Sequence, residues 1–109
     1  MLLNLIIEDY SMDLSLSPEE LVTLAPLFIK MDMDMDKGIQ LGATWIDKPD
    51  KLQRCQLAAD RLLEALQTHN EKLAKMMAGY IVKRKTEVKT VQINSNGMPE
   101  ETQFILHKA

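Results

Sequence analysis

Apolar side chains recur every three to four residues through the middle of the chain, which is the period of an amphipathic α-helix. The clearest stripe consists of Leu52, Cys55, Ala59, Leu62 and Leu66. It predicts a helix over about 50–68, with a solvated opposite face that includes Arg54. A second helix is expected directly after His69 and Asn70. Because the connection is so short, the two helices should fold back as an antiparallel helical hairpin over about 50–85.

An earlier helix start is indicated by the motif Ser17-Pro18-Glu19-Glu20. The serine can cap a helix, the proline tolerates the first helical position, and the second glutamate can complete a capping box. Pro26 lies inside the helical pattern that follows and predicts a kink or a break. The part after it is rich in Met and Asp, keeps its phase as far as Trp45, and is expected to form a helix over about 27–46. The chain therefore has three to four predicted helices.

The apolar period shortens to two residues near both ends of the chain, which is typical of β-strands. Near the N-terminus, Leu2–Ile7 and a shorter segment after it are strand candidates. Near the C-terminus, two alternating segments flank the turn-forming sequence 94–99, so a β-hairpin is expected over about 88–107. We predict the register of a wide loop, in which Val91 pairs with Phe104 and the proline of the turn stays outside the ladder.

Together these elements predict an α+β fold in which the helical hairpin at about 50–85 forms the core. It should pack on a small antiparallel sheet that includes the C-terminal hairpin. A length of 109 residues fits a single domain covering 1–109. Hydrophobic residues make up 46% of the chain and charged residues 27%, which is the composition of a globular protein and not of a disordered one.

The charge distribution narrows the classes of partner. The net charge is −3 and the basic residues are scattered, whereas nucleic-acid binding requires a clustered basic face. The one dense cationic segment, Lys83-Arg84-Lys85, is interpreted as cations near the exposed carbonyls of a helix C-terminus. Leu2–Ile7 is too short for a membrane span and lacks the positive start of a signal peptide. We therefore expect a cytoplasmic protein that binds neither nucleic acid nor membrane.

Three aspartates alternate with three methionines in one short run. The spacing of Asp32, Asp34 and Asp36 resembles the opening of the calcium loop of the EF-hand family, whose first ligands alternate in this way. The resemblance ends there, because Lys37 stands where that loop has glycine and Ala43 where it has a bidentate glutamate. In a helix the first and third aspartates share a face and the second points almost opposite. A solvated acidic helix face is the preferred interpretation, and a weak site for calcium or another divalent cation is the alternative.

The methionines and glycines of this region suggest a contact surface. Thioether sulfur can bind Cu(I), but eight methionines are spread over the whole chain, which is more typical of adaptable packing. Two glycines four residues apart allow another helix to approach closely. The predicted contact face consists of Met31, Met35, Gly38, Gly42 and Trp45.

Residues that could carry catalysis are few. Cys55 is the only cysteine, lies in the apolar stripe and is expected to be a buried structural thiol. His69 is expected in the interhelical turn and His107 near the C-terminus, so no Cys-His-acid constellation is visible.

We therefore predict a small non-enzymatic interaction or accessory protein that uses the helix at about 27–46 as its contact face. Its partner is expected to be another protein or a second copy of itself, as a homo-oligomer. The first alternative is the weak cation-binding module of Asp32, Asp34 and Asp36. The second is a small enzyme whose site is assembled only in the fold or at a dimer interface.

Overall fold

The computed structural model describes residues 1–107. Over that range the chain is an α+β fold with three α-helices, a mixed four-stranded sheet and a separate two-stranded sheet. Among these helices, none has the length and apolar composition that crossing a bilayer requires. The elements in chain order are β1 (Leu2–Ile7), β2 (Tyr10–Ser15), α1 (Pro18–Met35), β3 (Ile39–Leu41), β4 (Thr44–Ile46), α2 (Lys51–Gln67), α3 (Glu71–Arg84), β5 (Val88–Gln92), a 3₁₀ turn (Pro99–Glu101) and β6 (Gln103–Leu106).

The main sheet has the strand order β2-β1-β5-β6. The prediction of an antiparallel sheet is wrong at its centre, because β1 and β5 are parallel, with Leu5 opposite Val91. Parallel neighbours require a long crossover connection, and here the segment of chain that joins β1 to β5 contains all three helices. Alternation of apolar and polar residues does not distinguish the two directions, so the sequence pattern carried no sign of this pairing.

The C-terminal strand pair has the predicted wide-loop register, with Val91 opposite Phe104. The 3₁₀ turn at Pro99–Glu101 occupies the loop, so the proline lies outside the ladder. Asn94 closes the loop from both sides: its backbone N–H donates to Thr102 Oγ1 at 3.0 Å, and its side-chain Oδ1 accepts from the N–H of Asn96 at 2.9 Å. The loop is therefore held by an asparagine side chain and a threonine hydroxyl.

The core is shared between the sheet and the helices. Its largest fully buried side chains are Leu3, Leu5, Leu16, Val88 and Val91 from the strand regions and Phe28, Cys55, Leu62, Tyr80 and Ile81 from the helices. The helices α2 and α3 do follow one another across a short connection, and Asn70 caps α3 through a bond from the Leu73 N–H. The prediction that this pair forms the core is not confirmed, because the sheet contributes a comparable set of buried side chains.

Helix α1 begins as predicted. Ser17 Oγ accepts from the Glu20 N–H at 3.1 Å, and Glu20 Oε1 accepts from the Ser17 N–H at 2.9 Å, which completes the capping box. The break predicted at Pro26 does not occur, since α1 is continuous across it. Pro26 is exposed, so the carbonyl that loses its helical partner there can bond to water instead.

The predicted helix over 27–46 is wrong in its second half. Helix α1 ends at Met35, and the chain turns at Gly38 (φ 104°) into a two-stranded hairpin that turns again at Gly42 (φ 60°). Positive φ values are strained for residues with a Cβ, so these glycines terminate a helix and form a turn instead of lining a helix contact. The apolar spacing after Met35 fits a helix but equally fits a strand, where Ile39 is buried on one face.

Candidate functional site

The acidic run of α1 meets two arginines and a tyrosine. Asp32 Oδ1 accepts from the Tyr80 hydroxyl at 2.5 Å and from Arg54 Nη1 at 3.2 Å. Its Oδ2 accepts from Arg84 Nε at 2.9 Å and Nη2 at 2.6 Å. We call Asp32, Arg54, Tyr80 and Arg84 the Asp32 cluster. A single carboxylate on α1 is thereby joined to both α2 and α3.

Arg54 extends this cluster to the end of α1. Its Nη2 donates to Asp36 Oδ1 at 2.7 Å, and its Nη1 donates to the backbone carbonyl of Asp32 at 3.2 Å. Its Nε donates to the carbonyl of Pro49 just before α2 begins. The planar guanidinium satisfies several acceptors at fixed angles, which a lysine could not do. The last turn of α1 is therefore fastened to the first turn of α2.

The ionisation of the cluster is fixed by these contacts. Burial acts to raise the pKa of the Asp32 carboxyl, but hydrogen bonds from Tyr80 and Arg84 outweigh burial and lower that pKa. Burial, followed by the hydrogen bond to Asp32, raises the pKa of the Tyr80 hydroxyl. Both shifts move the groups away from neutral pH, whereas an acid–base catalyst needs a pKa near the working pH. The cluster thus holds a charged aspartate between two arginines.

The three aspartates predicted to bind a cation are not gathered around one point. Arg54 reaches both Asp32 and Asp36, which share a face of α1 as helical geometry requires. Asp34 is exposed and makes no contact with that arginine. Across residues 1–107, no three His, Cys, Asp or Glu side chains lie close enough to hold a metal ion together. A cation between Asp32 and Asp36 would have to displace a guanidinium that already occupies that position.

The partners of Asp32 were the part of this site that sequence reasoning missed. The sequence pattern places Arg54 on the solvated face of α2, and it places Arg84 near a helix C-terminus on the same side as Tyr80. One local signal is present in the sequence: Tyr80 and Arg84 are four residues apart, so they are neighbours on one side of a helix. In the structure the guanidinium carbon of Arg84 lies 5.0 Å from the centroid of the Tyr80 ring. Nothing in the sequence indicated that this pair would meet an aspartate from another helix.

The predicted contact face is only partly assembled. Met31, Met35, Gly38 and Trp45 line one groove of about 270 Å³, together with residues of α2. Trp45 covers Gly38 so closely that a Cβ there would collide with the indole ring. Gly42 is not part of this groove and lies beside Pro99 and Glu100. The turn at Gly38 brings the groove residues together, and Met35 is buried, so it is not available to a partner.

A second apolar surface lies on the exposed side of α1. Val22 is 74% exposed, Ile29 60% and Met33 63%. With the exposed Pro26 they stand at intervals of four, three and four residues, which places them on one side of the helix. We call Val22, Pro26, Ile29 and Met33 the outer stripe. The inner side of α1 is apolar too, and its Phe28 packs edge-on against Tyr80 with ring centroids 6.2 Å apart.

The remaining reactive groups are separate from one another. Cys55 is fully buried, and burial raises the pKa of its thiol to about 11, so it is not a thiolate near neutral pH. His69 lies in the turn after α2, whose last residue is twelve positions beyond Cys55, or about 18 Å along the helix axis. His107 is exposed after β6. Cys55 is thus screened from solvent, whereas both histidines are exposed.

Comparisons with protein-family models, with curated proteins and with solved structures return no match to this chain. A function must therefore be argued from the surfaces themselves, among them the exposed apolar outer stripe of α1.

Proposed function

We propose that this chain is a non-enzymatic interaction protein that self-associates through α1. The outer stripe of one copy packs against the outer stripe of a second copy. The observation that supports this proposal is that α1 is apolar on both sides, while residues 1–107 cover only one of them. Contiguous exposed apolar patches of roughly 300–600 Å² are the largest on ordinary monomers and often mark contacts.

The stripe is suited to pairing with itself. A twofold axis between Pro26 and Ile29 would set two copies of α1 antiparallel, with Val22 of each copy against Met33 of the other. The alternating intervals of three and four residues are those of helix pairs that cross at about 20°. Glu19 of each copy would then lie near Lys37 of the other. Each end of the contact would therefore hold one pair of opposite charges.

The Asp32 cluster supports the same proposal from the inner side. It joins the C-terminal half of α1 to α2 and α3, so the outer stripe is presented on a fixed scaffold. A surface that is already ordered loses less conformational entropy on binding than a flexible one. Self-association therefore needs less apolar area here than it would on a loosely attached helix.

The test is the molar mass in solution of the unmodified chain and of Ile29→Glu, measured by sedimentation velocity over a wide concentration range. We expect the unmodified chain to shift from monomer to dimer with rising concentration. Ile29→Glu should remain monomeric, because it places two carboxylates in the centre of the contact. Its free energy of unfolding as a monomer should stay within about 0.5 kcal/mol, since the position is exposed.

Leu52→Glu is the matched control, because Leu52 is an exposed leucine that lies on α2 and outside the outer stripe. This variant should dimerise like the unmodified chain. An unmodified chain that is monomeric at every concentration would contradict the proposal, and so would a dimer that survives Ile29→Glu.

The antiparallel arrangement has its own test in the terminal charges. Glu19→Lys should weaken the dimer about two- to fivefold, because exposed ion pairs contribute only about 0.2–1 kcal/mol. The double variant Glu19→Lys, Lys37→Glu should restore the original affinity. A double variant that is weaker than either single one would exclude this orientation of α1.

A further inference from the structure

The free edge of β2 borders a groove of about 520 Å³. β2 is the first strand in the sheet order, and among the described strands it pairs only with β1. The groove runs between segment 12–15 and the turn that joins α2 to α3. On the helical side it is lined by the apolar side chains of Leu66 and Ala74 and by the polar side chains of His69 and Lys75.

The hydrogen-bond pattern of the hairpin determines which backbone groups face this groove. Leu16 donates its N–H to the Met1 carbonyl at 2.8 Å, and the Met1 amino group donates to the Leu16 carbonyl at 2.9 Å. Bonded pairs alternate along an antiparallel ladder, so the other even-numbered residues of β2 also bond to β1. Ser11, Asp13 and Ser15 therefore direct their N–H and C=O groups away from β1. In residues 1–107 no backbone partner satisfies them.

We propose that this edge binds an extended peptide segment of another protein, which lies antiparallel to β2 as a fifth strand. Outward backbone groups that alternate with inward ones are what an added strand requires, and a groove alongside accommodates its side chains. This interaction uses residues of β2, α2 and α3 that take no part in the proposed self-association.

The side chains along the edge define the chemistry of the peptide. The residue directly opposite Asp13 would share its face of the sheet, and opposite charges in that position stabilise a strand pair. The two neighbouring peptide residues would point to the other face, where the partly exposed Met12 and Leu66 offer apolar surface. The preferred segment therefore carries a lysine or arginine between two apolar residues.

A second copy of β2 fits this edge less well. In the centred antiparallel register the two Asp13 carboxylates would lie directly opposite each other, and like charges in that position destabilise the pair. A peptide with a basic residue at the same place converts that repulsion into attraction.

Ser15 provides a variant that acts on the backbone alone. Its N–H points outward, and its exposed side chain makes no hydrogen bond within residues 1–107. Ser15→Pro removes a donor that only an incoming strand would use, and proline is tolerated on edge strands when its nitrogen faces outward. The preceding Leu14 is already extended, as a residue before proline prefers. Ser15→Ala keeps the N–H and is the matched control.

The experiment is selection of a random-peptide display library against the folded chain, followed by titration of a blocked synthetic peptide with the enriched sequence. We expect enrichment of a basic residue flanked by two apolar ones. The synthetic peptide should bind the unmodified chain and Ser15→Ala equally, and Ser15→Pro at least about tenfold more weakly. Binding should also slow hydrogen exchange at the amides of Ser11, Asp13 and Ser15. Repeating the selection with Asp13→Lys should enrich acidic residues instead.

Three outcomes would overturn the proposal: a selection that enriches no sequence, a peptide that binds Ser15→Pro as tightly as the unmodified chain, or a chain dimer that Ser15→Pro abolishes. The last would show that a second copy occupies the edge. Ile29→Glu should bind the peptide normally, so failure of the peptide site and failure of α1 self-association are separately visible.

Discussion

Helices α1 and α2 differ in how they are held, although they begin alike. They are 18 and 17 residues long, and each starts with a complete capping box. Yet α2 buries seven residues, whereas α1 buries only Phe28 and Met35. Apolar packing therefore dominates the hold on α2, while α1 is held by fewer buried side chains together with the Glu20–Lys75 ion pair and the Asp32 cluster. A helix held in this second way keeps apolar surface free for a partner.

Loss of the central buried side chain should have the largest effect in both helices. Leu62→Ala removes a fully buried leucine from α2, and Phe28→Ala removes the main apolar anchor of α1. We expect each to lower the free energy of unfolding by about 3–4 kcal/mol in denaturant titration, because each leaves a cavity. A much smaller loss of stability for Phe28→Ala would show that the packing of α1 does not depend mainly on that side chain.

The Asp32 cluster should be nearly as important for α1. Asp32→Asn leaves two arginines without their shared carboxylate, and we expect a loss of about 2 kcal/mol, since the side chains involved are 18–29% exposed. Native-state hydrogen exchange should speed up most in the C-terminal half of α1. Asp34→Asn on the exposed side is the control and should change stability by no more than about 0.5 kcal/mol. Equal losses of stability for Asp32→Asn and Asp34→Asn would show that the Asp32 cluster does not hold α1.

The N-terminal caps of α1 and α2 should contribute equally to stability. Ser17→Ala and Asp50→Ala each remove a cap that accepts from a backbone N–H. We expect each to cost about 1 kcal/mol in the free energy of unfolding. If one substitution lowered the free energy of unfolding far more than the other, the difference between α1 and α2 would arise at their N-terminal caps and not from the side chains that they bury.

The smallest effects should be those of acidic pH on stability, and they should have opposite signs for an aspartate of α1 and an aspartate of α2. The lowered pKa of Asp32 stabilises the fold above the ordinary value of 3.8, and this contribution is lost as the pH falls through the lower folded value. In α2, burial and then the charge of Glu64 raise the pKa of Asp60, so its charged form weakens the fold as the pH rises past 3.8.

Thermal unfolding between neutral pH and pH 3 separates the two contributions. Asp32→Asn should reduce the acid sensitivity of the melting temperature, and Asp60→Asn should increase it. The same sign for both variants would contradict the assignment of the charges.

Much of the local structure could be predicted because its signals act over a few residues. The capping box at Ser17, the strands at both ends and the pairing of Val91 with Phe104 follow from patterns within short segments of the chain. The end of α1 could not be predicted in this way. Apolar spacing after Met35 suits either a helix or a strand, and the backbone conformation at Gly38 resolves it.

The sequence by itself determined an α+β chain with an acidic, methionine-rich helix segment. Only the tertiary structure decided that β1 and β5 are parallel, that Asp32 meets Arg54 and Arg84, and that the outer stripe is left uncovered. The physical reason is distance along the chain. Asp32 lies 22 residues from Arg54 and 52 from Arg84, so which charges meet depends on how the helices pack and not on the residues beside them.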